Sequence, residues 1–205
     1  MNQVTDPYRL AEESLFLSRP GDGSPEPEMT ARGAIWLAVL GTASRTGVTQ
    51  DEICRVAQHL AQPSWEPSNS LIDEAVYDLV SEENLTASPP LTGEPRFVPT
   101  AKGASNFRRL MTTRIGHVQS PFGQACLRFK LAFLDLLPSR DRSVLLEKIA
   151  RHYERELIVR RNRRQPFQTG LFGQSWQDQA TESMRRDLVL LRTFAYSMQD
   201  EAGGP

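Results

Sequence analysis

Ser68, Asn69 and Ser70 stand together just after Pro63 and Pro67, at the head of an apolar helical pattern. Their side chains are neutral hydrogen-bonding groups of the kind that read base edges in a DNA groove. An asparagine amide carries a donor and an acceptor side by side, which matches the N6 and N7 edge of adenine. Arg96 is the first cation suited to a phosphate, and Lys102 the second, although a solvated surface charge is the other reading of Lys102. Backbone amides at Thr49 and Gln50, at the start of another helical pattern, can add phosphate contacts. The chemistry these residues suggest is binding to double-stranded DNA.

Other chemistry lacks its residues. His59, His117 and His152 are isolated from one another and from the cysteines, with no spacing that puts two metal ligands on one helical turn. Nothing singles out a Ser, His and Asp as a triad, and there is no phosphate-binding Gly-Lys-Ser or Gly-Lys-Thr and no dinucleotide glycine pattern. The sequence therefore predicts no enzyme, no cofactor and no catalytic or metal residue. Cys54 and Cys126 are the only cysteines, each inside an apolar pattern, and read as small buried hydrophobes or as redox sensors.

The elements that would hold the DNA-facing residues follow closely. A first helix begins at Thr30 as cap, turns Ala34, Ile35, Leu37, Ala38 and Leu40 inward, and closes at Gly41. The second opens with Thr49-Gln50-Asp51-Glu52, a capping box, and buries Ile53, Val56, Ala57 and Leu60. The third runs from Ser68 to Val80 with Leu71, Ile72, Ala75, Val76, Leu79 and Val80 as its apolar stripe. Asn84 offers a left-handed stop. Leu85 to Ser88 runs out as a strand, Thr92-Gly93-Glu94 turns, and Arg96-Phe97-Val98 runs back, with Pro89, Pro90 and Pro95 blunting the edges. Helices followed by a β ribbon give the winged helix-turn-helix order, in which the third helix enters the major groove.

The stretch Arg96-Phe97-Val98-Pro99-Thr100-Ala101-Lys102-Gly103 resembles the wing strand and "Leu-Thr-x-x-Gly" helix start of PadR-like transcriptional regulators. Leu127-Arg128-Phe129-Lys130-Leu131-Ala132-Phe133-Leu134-Asp135-Leu136-Leu137-Pro138 is similar to the opening of the helical C-terminal domain through which longer members of that family dimerise. The third helix departs from the family pattern: Leu71 to Val80 holds neither a proline nor a basic residue and carries Asp73, Glu74 and Asp78 instead. The resemblance covers most of the chain from Thr30 onward. It implies a homodimeric repressor on a pseudo-palindromic operator, relieved by a small effector held between the two halves of the chain. Trp36, Phe122, Phe129 and Tyr153 are the candidate walls of an effector pocket, with plain core as their other reading.

The fold expected is mainly α: a winged helix-turn-helix domain with a small β wing plus a C-terminal α-helical dimerisation domain. The divisions are 1–29, an N-terminal arm and linker; 30–116, the winged domain; and 117–205, the helical domain. The arm holds a helix over 7–17 and a linker over 19–28, and either docks or stays a tail. In the helical part an apolar helix runs from Phe122 to Leu137 and another follows Pro138. That helix ends at Arg160-Arg161-Asn162-Arg163-Arg164, read as a solvated helix terminus or a nucleic-acid patch. After a loop over 165–173, a last helix from Ser175 to Gln199 follows. Leu127, Leu131, Leu134, Met184, Leu188, Leu191 and Met198 are the dimerisation candidates, forming a seam for the chain's own helices and a partner's copy.

A net charge of −1 excludes a general nucleic-acid coat while allowing an operator binder. No run is apolar enough to span a bilayer and no signal peptide opens the chain, so a cytoplasmic protein without a membrane partner is expected. The rival function is a dimeric winged-helix module with weak or no DNA binding, which offers Asp73, Glu74, Asp78, Glu82 and Glu83 to a protein partner.

Overall fold

The computed structural model describes residues 27–63, 65–88, 94–162 and 170–202. The expected helix over 7–17, all but the end of the linker, Pro89, Pro90, Thr92, Gly93, Arg163 and Arg164 lie outside the described residues. Helix α1 (Ala31–Ala43) is the hub. It is buried without interruption from Ala34 to Ala43, and α2 (Gln50–Ala61), α3 (Asn69–Ser81), α4 (Ala101–Thr112) and α5 (Pro121–Ala132) all pack on it. A helix apolar on every side belongs in an interior. Thr30 caps it, accepting the Gly33 amide at 3.1 Å.

Gly41 does not close α1, which continues to Ala43. The glycine is there for packing: a Cβ at residue 41 would lie 2.5 Å from the Phe133 ring. Phe133 in turn meets Phe107 edge-on at 6.5 Å. The helix expected over Phe122 to Leu137 is therefore broken after α5 into a 3-10 turn, Leu134–Leu136, with Phe133 at the break.

The capping box of α2 forms as the sequence predicts, with Thr49 accepting the Glu52 amide at 3.3 Å and Glu52 accepting the Thr49 amide at 2.9 Å. Its buried face is Ile53, Cys54, Ala57 and Ala61, while Val56 and Leu60 are only half-buried. In α3 the stripe is narrower than expected. Ile72, Ala75, Val76 and Leu79 are buried, but Leu71 stays 39% exposed at the margin of the face turned to α1 and α2.

Glu83, at φ 60, takes the left-handed position expected of Asn84. Asn84 is needed inside. Its amide donates to Leu79 O at 2.7 Å and its carbonyl accepts the Thr100 amide at 3.0 Å. From there β1 (Leu85–Ser88) pairs antiparallel with β2 (Arg96–Pro99), Thr86 opposite Val98 and Ala87 opposite Phe97. Val48 adds a rung on the other side of β2, donating to Phe97 O at 3.2 Å and accepting its amide at 2.8 Å. A single residue between two helices has no strand periodicity to announce it.

The core continues across the expected 116/117 division, because α5 lies on α1 and α2. Arg128 of α5 donates to Ala61 O and Gln62 O at 3.2 and 2.8 Å, capping the end of α2. Trp65, on the α2–α3 connection, stands edge-on to Phe122 and Phe129 at 5.2 and 6.5 Å and serves as a lid over this contact. Beyond it α6 (Ser139–Asn162) and α7 (Leu171–Ala202) form a hairpin, α7 starting four residues ahead of Ser175.

Candidate nucleic-acid interface

The N-terminus of α3 presents Ser68, Asn69 and Ser70 to solvent, beside the exposed flank of α2. Ser68 is the cap, accepting the Leu71 amide at 3.3 Å, and its hydroxyl lies 3.0 Å from that of Ser70. Two side-chain clamps join the helices. The Gln58 amide donates to Asn69 Oδ1 at 2.7 Å, and the Gln50 amide donates to Asp73 Oδ1 at 2.5 Å. Cys54 Sγ also reaches Asp73, at 3.8 Å, and its thiol is pushed up, first by burial and then by that carboxylate.

These clamps were invisible as pairs in the sequence. Gln50, Cys54 and Gln58 recur at helical spacing along one face of α2, which was a usable signal. Their consequence is chemical. Asn69 can read adenine bidentately with Gln58 in place, since Oδ1 keeps a second lone pair for the N6 amino group and Nδ2 can donate to N7.

Along α3 the exposed stripe is Ser70, Asp73, Glu74 and Tyr77, at successive steps of three, one and three residues. Tyr77 is 74% exposed. So the face next to Asn69 is acidic and ends in a free-standing phenol ring. Asp78 and Glu82 lie apart from it, both paired with Arg32 at 2.9 and 3.0 Å, and that guanidinium sits 4.6 Å over the Trp36 ring.

The two expected phosphate ligands occupy different ends of this unit. Arg96 donates to Gly47 O and lies 3.9 Å from Glu52. The Glu52 carboxyl is held below its usual value chiefly by the Thr49 amide, with Arg96 and Arg55 assisting. Lys102 donates to Glu82 O at 2.7 Å, at the C-terminal end of α3, so it is not brought beside Ser68 to Ser70. A lysine there complements the negative end of the helix dipole. Residues 30–116 hold eight Arg or Lys against nine Asp or Glu, and most of those cations have acidic or carbonyl partners within the fold.

Among the described residues, the four aromatics expected to wall an effector pocket are engaged in packing at separate places. Trp36 is buried in α1, Phe122 and Phe129 flank Trp65, and Tyr153 is fully buried with its hydroxyl accepting from Gln124 at 3.2 Å. None of them lines the cavity of about 240 Å³ between the end of α4 and α6. Aromatics at helical spacing went to the core because their area is worth most there.

The seam candidates are likewise engaged within the chain. Met184 and Leu191 are 0% and 2% exposed in the α6–α7 hairpin, Leu188 and Met198 are half-buried against the core, and Leu127 and Leu134 are buried with Leu131 half-buried. The apolar residues that face solvent on α7 are others, among them Trp176, Leu190 and Phe194. Among the described residues, no group of His, Cys, Asp and Glu is arranged to hold a metal, and no helix is long and apolar enough to cross a membrane.

Helix order, wing and exposed α3 start together define a winged helix-turn-helix chain extended by a helical hairpin. No protein-family model matches it, and no curated protein does. Among solved structures it is similar to Bacillus subtilis PadR in complex with operator DNA, at 15% identity and a TM-score of 0.38, over 80% of this chain and 98% of that one. The same protein in complex with p-coumaric acid is similar at 16% identity and 0.37, over 81% and 99% of the two chains. A PadR-like transcriptional regulator from Bacillus cereus is similar at 13% identity and 0.37, over 82% and 99%.

Proposed function

We propose that the protein is a homodimeric, PadR-like winged-helix transcriptional repressor that reads a pseudo-palindromic operator with the N-terminus of α3. The observation that carries this reading is the exposed Ser68-Asn69-Ser70 cap, held against α2 by the Gln58 clamp inside a winged-helix order of elements. Asn69 makes the base contact while Gln58 steadies its Oδ1. The Gln50 amide, Arg96 and Lys102 contact phosphate, while the Thr49 amide is taken by Glu52 in the capping box.

With those two cations per protomer, a dimer neutralises about four phosphates, and the logarithm of affinity falls with the logarithm of salt at a slope of about −3.6. The test is titration of the purified protein with the duplex upstream of its own gene, at two salt concentrations, against a scrambled duplex. Preference for the native duplex with that slope is the expected result. Asn69→Ala then loses about 1 to 3 kcal/mol at one operator position. A uniform loss over all sequences, or no binding at low salt, overturns the assignment.

Asp73, Glu74 and Tyr77 favour a second reading, in which the exposed α3 stripe docks a basic protein segment and DNA binding is weak or absent. Asp73→Asn with Glu74→Gln separates the two. Under the first reading, removing carboxylates close to phosphate strengthens DNA binding; under the second, DNA affinity stays negligible.

A further inference from the structure

Where α4 ends against α5 and α6, the cavity of about 240 Å³ has an unusual wall. Its lining includes Arg114, Lys130, Lys148, Arg151, His152 and Arg155 and not one Asp or Glu. Part of this charge is answered from outside the lining. Glu28 pairs with Arg114, Glu147 takes Arg151 at 2.8 Å, and His152 lies 2.9 Å from Gly116 O and 3.4 Å from Glu156. Lys148 and Arg155 have no carboxylate among the described residues, and Arg155 reaches only Arg151 O.

Lys130 is the decisive member. It is 2% exposed, and its ammonium donates to Met111 O and Thr113 O, both at 2.5 Å. An ammonium has three N–H donors. Two are taken, and the third has no acceptor among the described residues except what enters the cavity Lys130 lines. A buried cation without a counter-charge is costly, and an anion beside it offsets that cost.

We propose that this cavity binds a small organic anion of two negative charges, seated on Lys130, Lys148 and Arg155, with its body against Ile115 and Ile149. Three cations without carboxylates set the charge, and the apolar floor sets the organic body. The volume, below the roughly 300 to 1,000 Å³ of pockets for drug-sized ligands, sets the size. A dicarboxylate and a phosphomonoester share this chemistry.

Calorimetry on the free protein tests the site without DNA, so its outcome is separate from that of the operator titration. Sodium succinate and inorganic phosphate are the probes, each against sodium chloride at equal ionic strength. Saturable heat with at least one of them is expected, and the one that binds more tightly names the head group. Burial holds the Lys130 ammonium down at about 7, with Lys148 adding to the effect, so an anion bound at pH 8 returns the proton. The heat should therefore vary with the ionisation enthalpy of the buffer. Lys148→Gln, at an exposed position, folds normally and binds at least about fivefold more weakly, and Lys130→Met abolishes the proton uptake. Heats no different from chloride, or Lys148→Gln binding as the unmodified protein does, overturn the proposal.

Discussion

Lys130 and Asn69 are both polar residues at helical positions that the sequence offers without distinction, yet the fold treats them oppositely. Asn69 is left in solvent with its oxygen clamped by Gln58, whereas Lys130 is drawn inside to hold the last turn of α4. An amine needs only two donors to satisfy Met111 O and Thr113 O, so the neutral form fits the interior better than the charged one. Its proton leaves at about pH 7 in the folded protein, against 10.5 for an ordinary lysine. Between those values the unfolded chain binds a proton that the folded protein has lost. Stability therefore rises with pH in that window, by at most about 1.4 kcal/mol per unit, and below it the contribution is constant and least favourable. The Cys126 thiol, pushed up to about 12 by burial from 9.0, acts with the opposite sign above pH 9. The urea midpoint should therefore climb from pH 7 to 9, and Lys130→Met should flatten that climb. Parallel profiles for the two proteins would show that Lys130 titrates elsewhere.

At the scale of elements, the joints explain residues that periodicity treats as punctuation. Gly103 lies in the first turn of α4, where exchange of glycine for alanine ordinarily gains about 0.5 to 1 kcal/mol of helix stability. Here a Cβ would stand 2.0 Å from Asn84 O, a backbone atom that also accepts the Thr100 amide and cannot swing aside. The sign reverses. Gly103→Ala is expected to cost about 1 to 3 kcal/mol, or roughly 2 to 12 °C in Tm at about 2 to 4 °C per kcal/mol, read by thermal unfolding. An unchanged or raised Tm would mean that α4 can shift away from Asn84. The same joint explains why Thr100 to Gly103 forms a recognisable motif at all: the cap satisfies the Gly103 amide while the missing side chain admits the Asn84 carbonyl.

For the molecule as a whole, the question is which surface meets a second copy. Met184 and Leu191 repeat like a partner seam but are used up by α6, because a long two-helix hairpin must first bury one face against itself. That leaves Trp176, 75% exposed, with Leu190 and Phe194 facing solvent beside the buried stripe of α7, and the proposed dimer joins there. Phe194→Glu should then give folded monomers by sedimentation. Leu191→Glu should lose helical stability instead, since a buried carboxylate without a partner is costly. Monomers from Leu191→Glu with full stability, or dimers from Phe194→Glu, would return the seam to its sequence assignment.

What the sequence determined by itself was local. The Thr30 and Thr49 caps and the capping box of α2 rest on neighbours within a few residues, and the two wing strands and the order of elements follow from short local patterns. Tertiary structure alone decided what depends on partners far along the chain. Gly41 was turned from a stop into a packing notch by Phe133, the left-handed position went to Glu83 because α4 needs Asn84, and Val48 forms a β-bridge only beside Phe97. It also took Trp36, Phe129 and Tyr153 into the core, left Phe122 half-buried, and gathered five Arg and Lys around one cavity from the loop after α4, from α5 and from α6. The physical reason is common to these cases. Hydrogen bonds of caps and turns close within one turn of chain, while burial and charge depend on the summed surroundings of a residue, which exist only once distant segments have packed.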